Sequence, residues 1–256
     1  MVPSERRFRS TVSHYIAGRL RYPPALIAAV AEALGLAGDG RVLDLGCGPG
    51  FLAIAFAPFA AHVVAMDPEP GMLAAAREAA RGQTGRFTFV LGGSEDLVPE
   101  LGRFSLVTMG RSFHWMDREK TLAQLDTMVD AKGGVALFRD RHPEVPQNAW
   151  NTAWRVIRDR YAEADPRLHA RDHERVLRQS AFADVRRLTE RVERRASVDE
   201  LVARSLSQST TSPERLGTAQ ADFEAELRAT LAPYVVDGGV TELVEAEALL
   251  ATRPQG

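Results

Sequence analysis

Nine residues, VLDLGCGPG from Val42 to Gly50, combine an acid with three glycines at every second position. Apolar residues precede the glycines, as at the end of a buried strand, and the apolar run from Phe51 to Phe56 predicts a helix. Glycines permit a sharp turn, and without a Cβ the backbone can approach a ligand closely. The free N–H groups at a helix start favour a negatively charged group. This stretch therefore predicts a ligand site beyond the carboxyl end of a first strand.

The spacing of the glycines bears on which ligand is bound. A dinucleotide fingerprint, G-x-G-x-x-G, would place its third glycine where Phe51 stands, whereas this chain has it one residue earlier, at Gly50. The pattern acidic-x-G-x-G-x-G, in which Asp44 precedes Gly46 by two residues, closely resembles the first motif of the class I S-adenosylmethionine-dependent methyltransferases. A nicotinamide site and a tight turn without a ligand remain the alternatives.

The resemblance implies S-adenosyl-L-methionine as cofactor, with S-adenosyl-L-homocysteine as its product. Gly46, Gly48 and Gly50 would let the backbone approach the methionine end, and Asp44 would order the loop or meet the ammonium group. Cys47, the single cysteine of the chain, lies within the loop. We count it among the cofactor contacts as a small residue that fills a tight turn; a thiolate nucleophile is the alternative.

A second apolar run, from His62 to Asp67, also ends in a carboxylate. In such folds an acid at the end of the second strand binds ribose, because an ionised carboxylate can accept hydrogen bonds from both hydroxyls of a diol. We predict this role for Asp67; the alternative is an N-cap for the next helix, a duty that Glu69 could also perform. The family resemblance adds Pro68 and Met72 as cofactor contacts, with Met72 against the adenine.

After a third predicted strand, Phe87 to Leu91, the segment Gly92 to Leu97 resembles the family segment that borders the adenine ring. Many relatives carry Asp at the position of Gly93, and glycine cannot meet the adenine amino group as that carboxylate does. Backbone groups of Ser94, or the Glu95 side chain, would have to substitute. A solvated loop charge is the alternative for Glu95.

A fourth apolar strand, Phe104 to Met109, leads into Gly110 and then into the pair His114-Trp115. The pair resembles a segment of small-molecule methyltransferases, and the ends of strands one and four adjoin at the crevice of such a sheet. We predict that Gly110 contacts the cofactor, and that His114 and Trp115 bind the acceptor. His114 is the catalytic candidate, because a neutral imidazole near pH 7 can take a proton from a hydroxyl. A core position is the alternative for Trp115.

The segment Arg19-Leu20-Arg21-Tyr22-Pro23 resembles one that precedes the first motif in many small-molecule methyltransferases, where N-terminal residues fold over the active site. The resemblance implies a lid in which Tyr15 and Arg19 contact the cofactor and Tyr22 contacts the substrate. A surface arm anchored by its tyrosines is the alternative.

Three further histidines are possible ligands. His142, after a fifth strand, is the reserve candidate for substrate binding. His169 and His173 have the i, i+4 spacing of metal ligands on a helix, but no acid or thiol pattern accompanies them, so we predict no metal site.

The predicted fold is α/β: a Rossmann-like, doubly wound, seven-stranded, mostly parallel sheet with an antiparallel last strand. We expect one methyltransferase domain, residues 1–256, with a lid (1–24), a cofactor-binding core (25–140) and a helical substrate cap inserted after strand five (146–181). The remaining strands and helices occupy 182–256. Among the finer predictions are a turn from Ala131 to Gly134, one helix from Pro213 to Ala232, and a turn at Gly238-Gly239.

Composition narrows the class of protein. Of 256 residues, 45% are hydrophobic and 26% charged, as in soluble globular proteins. A net charge of −2 and a pI near 6.3 provide no electrostatic footprint for nucleic acid or an anionic membrane. The lone cysteine indicates a reducing compartment, and neither a membrane span nor a signal peptide is apparent, so we expect a cytoplasmic protein.

The sequence thus predicts an enzyme that moves the methyl group of S-adenosyl-L-methionine to oxygen or nitrogen of a small molecule. Such an in-line displacement depends on holding two reactants in line and excluding water. The expected partner is the small-molecule acceptor, without nucleic acid or membrane, and the expected state is a monomer or homodimer. A nicotinamide-dependent oxidoreductase and a non-catalytic relative that binds the nucleoside remain the alternatives.

Overall fold

A computed structural model describes residues 11–162 and 172–254, so that the predicted lid and cap are described only in part. These residues divide into two compact units. The sheet unit comprises residues 22–139, 172–190 and 246–254, and the helical unit comprises residues 11–21, 140–162 and 191–245.

Within the described ranges the chain forms ten α-helices and eight strands. The helices are α1 (Val12–Gly18), α2 (Pro24–Ala33), α3 (Phe51–Phe56), α4 (Pro70–Ala79), α5 (Arg118–Met128), α6 (Ala149–Tyr161), α7 (His173–Arg178), α8 (Val198–Leu206), α9 (Pro213–Leu216) and α10 (Gln220–Leu231). The strands are β1 (Arg41–Leu45), β2 (His62–Asp67), β3 (Phe87–Leu91), β4 (Phe104–Gly110), β5 (Val129–Arg141), β6 (Asp184–Ala196), β7 (Val235–Val236) and β8 (Gly239–Thr252).

The strands form one sheet in the order β3-β2-β1-β4-β5-β8-β6, and β7 pairs with β8. Strands β1 to β5 pair in parallel, and β7 pairs antiparallel with β8. The strand order reverses beside β1, whose neighbours are β2 and β4, and this is where ligands bind in doubly wound sheets. The predicted fold class is confirmed, with eight strands in the described residues because the short β7 is counted.

Alternating side chains place a core on each face of the sheet unit. Leu43 and Leu45 of β1 pack with α5 and α7 in one cluster, whereas Val42 packs with α2, α3 and α4 in the other. Strand β2 divides in the same way, with Val64 on one side and Val63 on the other. Because successive strand residues point to opposite faces, β1 and β2 are apolar throughout and must be covered by helices on both sides.

The helical unit has its own apolar cluster. Trp150 and Trp154 of α6 pack there with side chains of α8 and α10, and the side chains of Phe223, Leu227 and Leu231 on α10 are fully buried. None of the helices in the described ranges is long and apolar enough to cross a bilayer.

Three local predictions are wrong: the turn from Ala131 to Gly134, the single helix from Pro213 to Ala232, and the turn at Gly238-Gly239. In each case a glycine has a different structural role from the one predicted. The predicted turn from Ala131 to Gly134 lies within β5, where the β4–β5 register shifts between Phe104 and Leu106. There Gly133 lies so close to β4 that an added Cβ would be 2.8 Å from the Ser105 carbonyl oxygen.

The other two concern the last third of the chain. The single helix from Pro213 is interrupted at Gly217, whose φ of +52° ends α9 before α10 begins. The last hairpin turns at Asp237-Gly238, with φ of +45° and +80°, and Gly239 already belongs to β8. Two positive φ values are typical of the two-residue turn that suits the twist of a hairpin.

Candidate active site

The glycine loop leaves β1 with a left-handed backbone. Gly46, Gly48 and Gly50 have φ of +70°, +54° and +83°. Space also excludes a side chain at Gly46, where a Cβ would lie 2.5 Å from the Ser112 Cβ. The N–H groups of Gly46 and Cys47 donate to the Met66 carbonyl oxygen at 2.8 and 3.0 Å, which fixes the loop against the end of β2. The loop thus requires its glycines for its own geometry as well as for a ligand.

Asp67, at the end of β2, is joined to this loop. Its Oδ2 accepts from the Gly48 N–H at 2.8 Å and its Oδ1 from the Glu69 N–H at 2.9 Å. Burial raises the pKa of Asp67; the two backbone hydrogen bonds oppose that shift, and the Glu69 carboxylate adds to it. A carboxylate offers about four acceptor sites, so these two bonds leave capacity for ribose hydroxyls. Glu69 is the N-cap of α4, because its side chain accepts from the Gly71 N–H. Glu69, and not Asp67, therefore caps this helix.

Asp44 lies in β1, two residues before the first glycine of the loop. Only 1% of its surface is exposed, and its two oxygens accept from the Ala53 N–H of α3 and from the Thr108 hydroxyl, both at 2.9 Å. Burial raises the pKa of Asp44 to about 7 against these hydrogen bonds, and nearby Asp67 raises it further. Both contacts lie within the protein, on α3 after the loop and on β4 beside β1, and the role of Asp44 in ordering the loop stays a prediction. The register of β1 against β4 identifies Thr108 as a contact of Asp44, because the two residues are direct partners across these strands.

The thiol of Cys47 is buried beside these two acids. Burial raises the pKa of Cys47 well above its usual value, and Asp44 and Asp67 raise it further. A thiolate is therefore disfavoured at this position, and the side chain fills the turn as a small apolar group.

The end of β4 is fastened to the glycine loop. The Ser112 hydroxyl donates to the Leu45 carbonyl oxygen at 2.8 Å, a contact that the sequence motifs do not indicate. Gly110 lies against α3, since an added Cβ would be 2.8 Å from Leu52 Cδ1. Ser112 therefore fixes the position of the following turn relative to the loop.

That turn, Phe113–Trp115, carries the predicted catalytic histidine. The half-buried His114 ring lies 4.6 Å from the Trp115 ring and 6.5 Å from that of His173, with the two imidazole planes 19° apart. His173 also contacts Phe113 edge-on at 5.3 Å. The tertiary structure thus brings a second imidazole, from the start of α7, beside His114. His169 lies outside the described residues.

Tyr22 belongs to the sheet unit and is 8% exposed. Its hydroxyl donates to the Phe138 carbonyl oxygen at 3.1 Å, and the Arg111 guanidinium lies 4.8 Å from its ring centroid. Arg111, which the sequence motifs do not single out, has a φ of +57°, an uncommon conformation outside glycine. Tyr22 is therefore packed at the ends of β4 and β5.

Four predicted cofactor contacts follow the ends of β2 and β3 along the chain. Met72 and Ser94 are buried, whereas Pro68 and Glu95 are exposed. The turn is closed by Asp96, whose Oδ2 accepts from the Gly93 N–H at 2.9 Å, and the Gly92 N–H donates to the Asp67 carbonyl oxygen at 3.2 Å. These bonds place the turn at the end of β2, beside Asp67, the residue predicted to bind ribose.

The other predicted site residues, Tyr15, Arg19 and His142, lie in the helical unit. The Arg19 guanidinium lies 5.2 Å from the Tyr15 ring centroid and donates to the Ser207 carbonyl oxygen at 3.3 Å. His142 Nε2 is 2.7 Å from Glu242 Oε2, within a buried ion network that includes Arg204. In residues 11–162 and 172–254 there is no group of three or more His, Cys, Asp or Glu side chains that could hold a metal ion.

Comparisons with known proteins agree with this arrangement. Residues 42–133 match the family profile described as a methyltransferase domain. An uncharacterized methyltransferase of Mycobacterium tuberculosis is 32% identical over 137 residues, covering 54% of this chain and 53% of that protein. The chain thus spans about half the length of this curated relative. Protein-L-isoaspartate O-methyltransferase 2 of Marinobacter nauticus is 36% identical over 80 residues, which cover 30% of this chain and 36% of that protein.

Solved structures extend the likeness of fold to nearly the whole chain. S-adenosylmethionine-dependent methyltransferases from Thiobacillus denitrificans and Geobacter sulfurreducens, both in complex with S-adenosyl-L-homocysteine, align with TM-scores of 0.55 and 0.54 at 16% identity. The alignments cover 97% and 99% of this chain, and 98% and 100% of those chains. Residues 42–133 therefore match a methyltransferase domain, as the glycine loop predicts, and the fold is similar to that of these S-adenosylmethionine-dependent methyltransferases.

Proposed function

We propose that the protein transfers the methyl group of S-adenosyl-L-methionine to a small-molecule acceptor. The observation that carries the proposal is the hydrogen bond between Asp67 and Gly48, which joins an acid at the end of β2 to a left-handed glycine loop at the end of β1. A loop of this form lets backbone approach the methionine part of the cofactor, and the acid next to it suits the ribose diol. The two contacts would hold both ends of one nucleoside ligand.

The acceptor would approach from the end of β4. Ser112 holds this strand end on the carbonyl of Leu45, directly before the glycine loop, and His114 follows two residues later. Methyl transfer needs the acceptor atom in line with the sulfonium carbon, so a side chain fixed beside the loop is suitably placed to orient it. In this proposal His114 is the base for a hydroxyl acceptor or the orienting group for an amine. Trp115 beside it would line the acceptor site.

The cofactor assignment is tested by calorimetry with S-adenosylhomocysteine and with NADH. We expect the wild-type protein to bind the first and not the second, and Gly48→Val to abolish binding because the side chain would block the backbone approach. Binding of NADH in place of S-adenosylhomocysteine would contradict the proposal. The acceptor is then sought by incubating the protein with metabolite pools and labelled methyl donor.

The ribose role of Asp67 needs a sharper test, because its carboxylate also orders the glycine loop. We expect Asp67→Ala to weaken S-adenosylhomocysteine binding by about 1.5–3 kcal/mol, the range for a hydrogen bond to a charged group. The penalty for removing the ribose hydroxyls from the ligand should be large in the wild-type protein and absent in Asp67→Ala. Asp96→Ala, which removes a nearby turn-closing carboxylate, is the matched control. An undiminished penalty in Asp67→Ala would show that ribose binds elsewhere.

The role of His114 depends on the acceptor atom. With an oxygen acceptor, His114→Ala should lower turnover by about 10²–10⁴-fold while cofactor affinity stays nearly unchanged. With a nitrogen acceptor the loss should be smaller and appear mainly in KM, because a neutral amine needs no proton removed before attack. His62→Ala, at the opposite end of β2, is the control. Loss of cofactor binding or of folding in His114→Ala would assign this residue a structural role.

A further inference from the structure

Arg111 follows β4 with a left-handed backbone, at a φ of +57°. The left-handed positions of the loop after β1 are all glycines, because a side chain is strained in this conformation. Arginine also lacks the short polar side chain that lets asparagine and aspartate adopt it. Residues persist in this region where the surrounding structure fixes them, and they are frequent at binding sites. The backbone of Arg111 is therefore the first indication that this position serves a ligand.

Two contacts within the sheet unit fix this backbone. The Arg111 N–H donates to the Phe138 carbonyl oxygen of β5 at 3.0 Å. The next residue, Ser112, donates from its hydroxyl to the Leu45 carbonyl oxygen of β1 at 2.8 Å. Arg111 is thereby fixed among the ends of β1, β4 and β5, at the edge of the sheet where ligands bind in doubly wound folds.

The side chain of Arg111 is held as well. Its guanidinium carbon lies 4.8 Å from the centroid of the Tyr22 ring. The Tyr22 hydroxyl donates at 3.1 Å to the same Phe138 carbonyl oxygen that accepts from the Arg111 N–H, and the Tyr22 and Phe138 ring centroids are 5.1 Å apart. A guanidinium stacked on an aromatic face keeps its N–H donors in a fixed plane. Because Arg111 is only half-buried, a ligand can approach it from the edge of the sheet.

The chemistry of the strand ends indicates what such a ligand would carry. Asp67, at the end of β2, suits the hydroxyl groups of a ligand. An anionic group instead needs a cation, which the end of β4 supplies in Arg111. A guanidinium presents paired N–H donors that match the two oxygens of a carboxylate.

We propose that Arg111 binds a carboxylate group of a ligand at this edge of the sheet. The carboxylate belongs either to the methionine part of the cofactor or to an acidic acceptor, and this choice rests on the proposed methyl transfer. The bond from Ser112 to Leu45, directly before the glycine loop, suits the first source. The position of His114, three residues after Arg111, suits the second, which would place the acceptor among organic acids.

The test compares Arg111→Met with Arg41→Met. Arg41, at the start of β1, also has its guanidinium over an aromatic ring, 5.0 Å from the Phe104 centroid, and is the matched control at the other end of the strand. Calorimetry measures each protein with pairs of probes that differ in the carboxylate. The cofactor pair is S-adenosylhomocysteine and its decarboxylated analogue, and the acceptor pairs are benzoate with benzamide and succinate with succinamide.

The pairs separate the two sources of the carboxylate. In the wild-type protein and in Arg41→Met, loss of the carboxylate from one kind of pair should weaken binding by about tenfold to a hundredfold, as for a hydrogen bond to a charged group. In Arg111→Met the two members of that pair should bind alike. A change confined to the cofactor pair assigns the carboxylate to the cofactor, and a change in an acceptor pair assigns it to the acceptor. If Arg111→Met keeps every carboxylate preference of the wild-type protein, or if the wild type has none, the proposal is overturned.

Arg111→Gly provides an independent readout. Glycine adopts the left-handed backbone without strain, so this variant should melt at or above the temperature of Arg111→Met and lose the same carboxylate preference. It also decides the question should Arg111→Met fail to fold. A lower melting temperature with an unchanged preference would show that Arg111 only packs against Tyr22, which overturns the proposal.

The acceptor pairs are titrated both with and without S-adenosylhomocysteine. Failure of the wild-type protein to bind S-adenosylhomocysteine would contradict the proposed function, whereas the titrations without it would still decide whether Arg111 binds a carboxylate.

Discussion

At the scale of single residues, two acids lie at the ends of neighbouring strands and perform different tasks. Asp44 uses both oxygens within the protein, on Ala53 and Thr108. Asp67 bonds to two backbone N–H groups of the loops around it. The difference follows from depth, since Asp44 is 1% exposed and Asp67, one strand over, is 8% exposed. The deeper acid has both oxygens occupied within the protein, and the shallower one is the better candidate for a ligand.

The buried position of Asp44 has a consequence for stability. Its pKa is about 7 in the folded protein and 3.8 when solvated, so the folded state holds its proton more tightly than the unfolded state. The contribution of Asp44 is therefore fully present below pH 3.8 and is lost as the pH rises to about 7. The shift corresponds to a fall in the free energy of unfolding on the order of 4 kcal/mol across that range.

Asp44→Asn should remove this pH dependence. The amide oxygen can accept from Ala53 N–H while the amide nitrogen donates to Thr108, whose hydroxyl also lies 3.5 Å from the Leu43 carbonyl oxygen. We expect a flatter stability profile between pH 4 and 7 and equal or greater stability at pH 8, measured by denaturant unfolding. The exposed Asp39→Asn is the control. A profile for Asp44→Asn as steep as that of the wild-type protein would place the titrating group elsewhere.

At the scale of elements, α1 is fastened to α8. The Arg204 Nε–H donates to the Gly18 carbonyl oxygen, and a Cβ on Gly18 would lie 2.1 Å from the Arg204 backbone nitrogen. Arg19 adds its bond to Ser207 at the end of α8. A lid that includes α1 would have to move with α8 or break these contacts.

Deleting residues 1–22 would remove a partner of buried Arg204, so we expect the deletion to destabilise the helical unit as well as remove the predicted lid.

Gly18→Ala tests this close packing. The added methyl group meets backbone and not a flexible side-chain end, so α1 must shift from α8. We expect the free energy of unfolding to fall by about 1–3 kcal/mol, as for other over-packed positions, in thermal or denaturant unfolding. Ile16→Ala, at a position of α1 where 47% of the side chain is exposed, should change stability much less. Wild-type stability of Gly18→Ala would mean that α1 is not held closely on α8.

At the scale of the whole molecule, one buried acid in each unit makes stability depend on pH in the opposite direction to the other. Burial acts to raise the pKa of Glu242 in the helical unit, but hydrogen bonds from His142 and Arg204 outweigh it and hold the pKa at about 2, below the ordinary 4.5. The contribution of Glu242 to stability is therefore present above pH 4.5 and is lost as the pH falls towards 2. In the sheet unit, Asp44 acts in the other direction, between pH 3.8 and about 7.

The tryptophans can report this acid response. Trp150 and Trp154 lie in the helical unit and Trp115 in the sheet unit, so Trp115→Phe leaves fluorescence from the helical unit alone. In that background we expect the free energy of unfolding to fall by about 3 kcal/mol between pH 4.5 and 2, and Glu242→Gln to flatten this dependence. An equally steep dependence in Glu242→Gln would show that another carboxylate governs acid unfolding of this unit.

The sequence by itself determined the strand–loop–helix unit around Gly46, Gly48 and Gly50, and with it the match of residues 42–133 to a methyltransferase domain and the fold class. This was possible because the unit is local: a strand end, the left-handed glycines and the helix start follow one another within about ten residues, and each imposes its own residue types. The acid at the end of β2 could be predicted from sequence as well, because parallel strands end at a common edge of the sheet.

Only the tertiary structure decided which distant residues meet at these positions. Thr108 joins Asp44 from 64 residues away, and Arg204 joins Gly18 from 186 residues away. His173 beside His114 is a further example. Nothing in the local pattern around these residues specifies their partners, because strand register and helix packing are set by the whole core and by burial. The glycine loop is therefore encoded locally, whereas the side chains that support it and those that would select the acceptor depend on the complete fold.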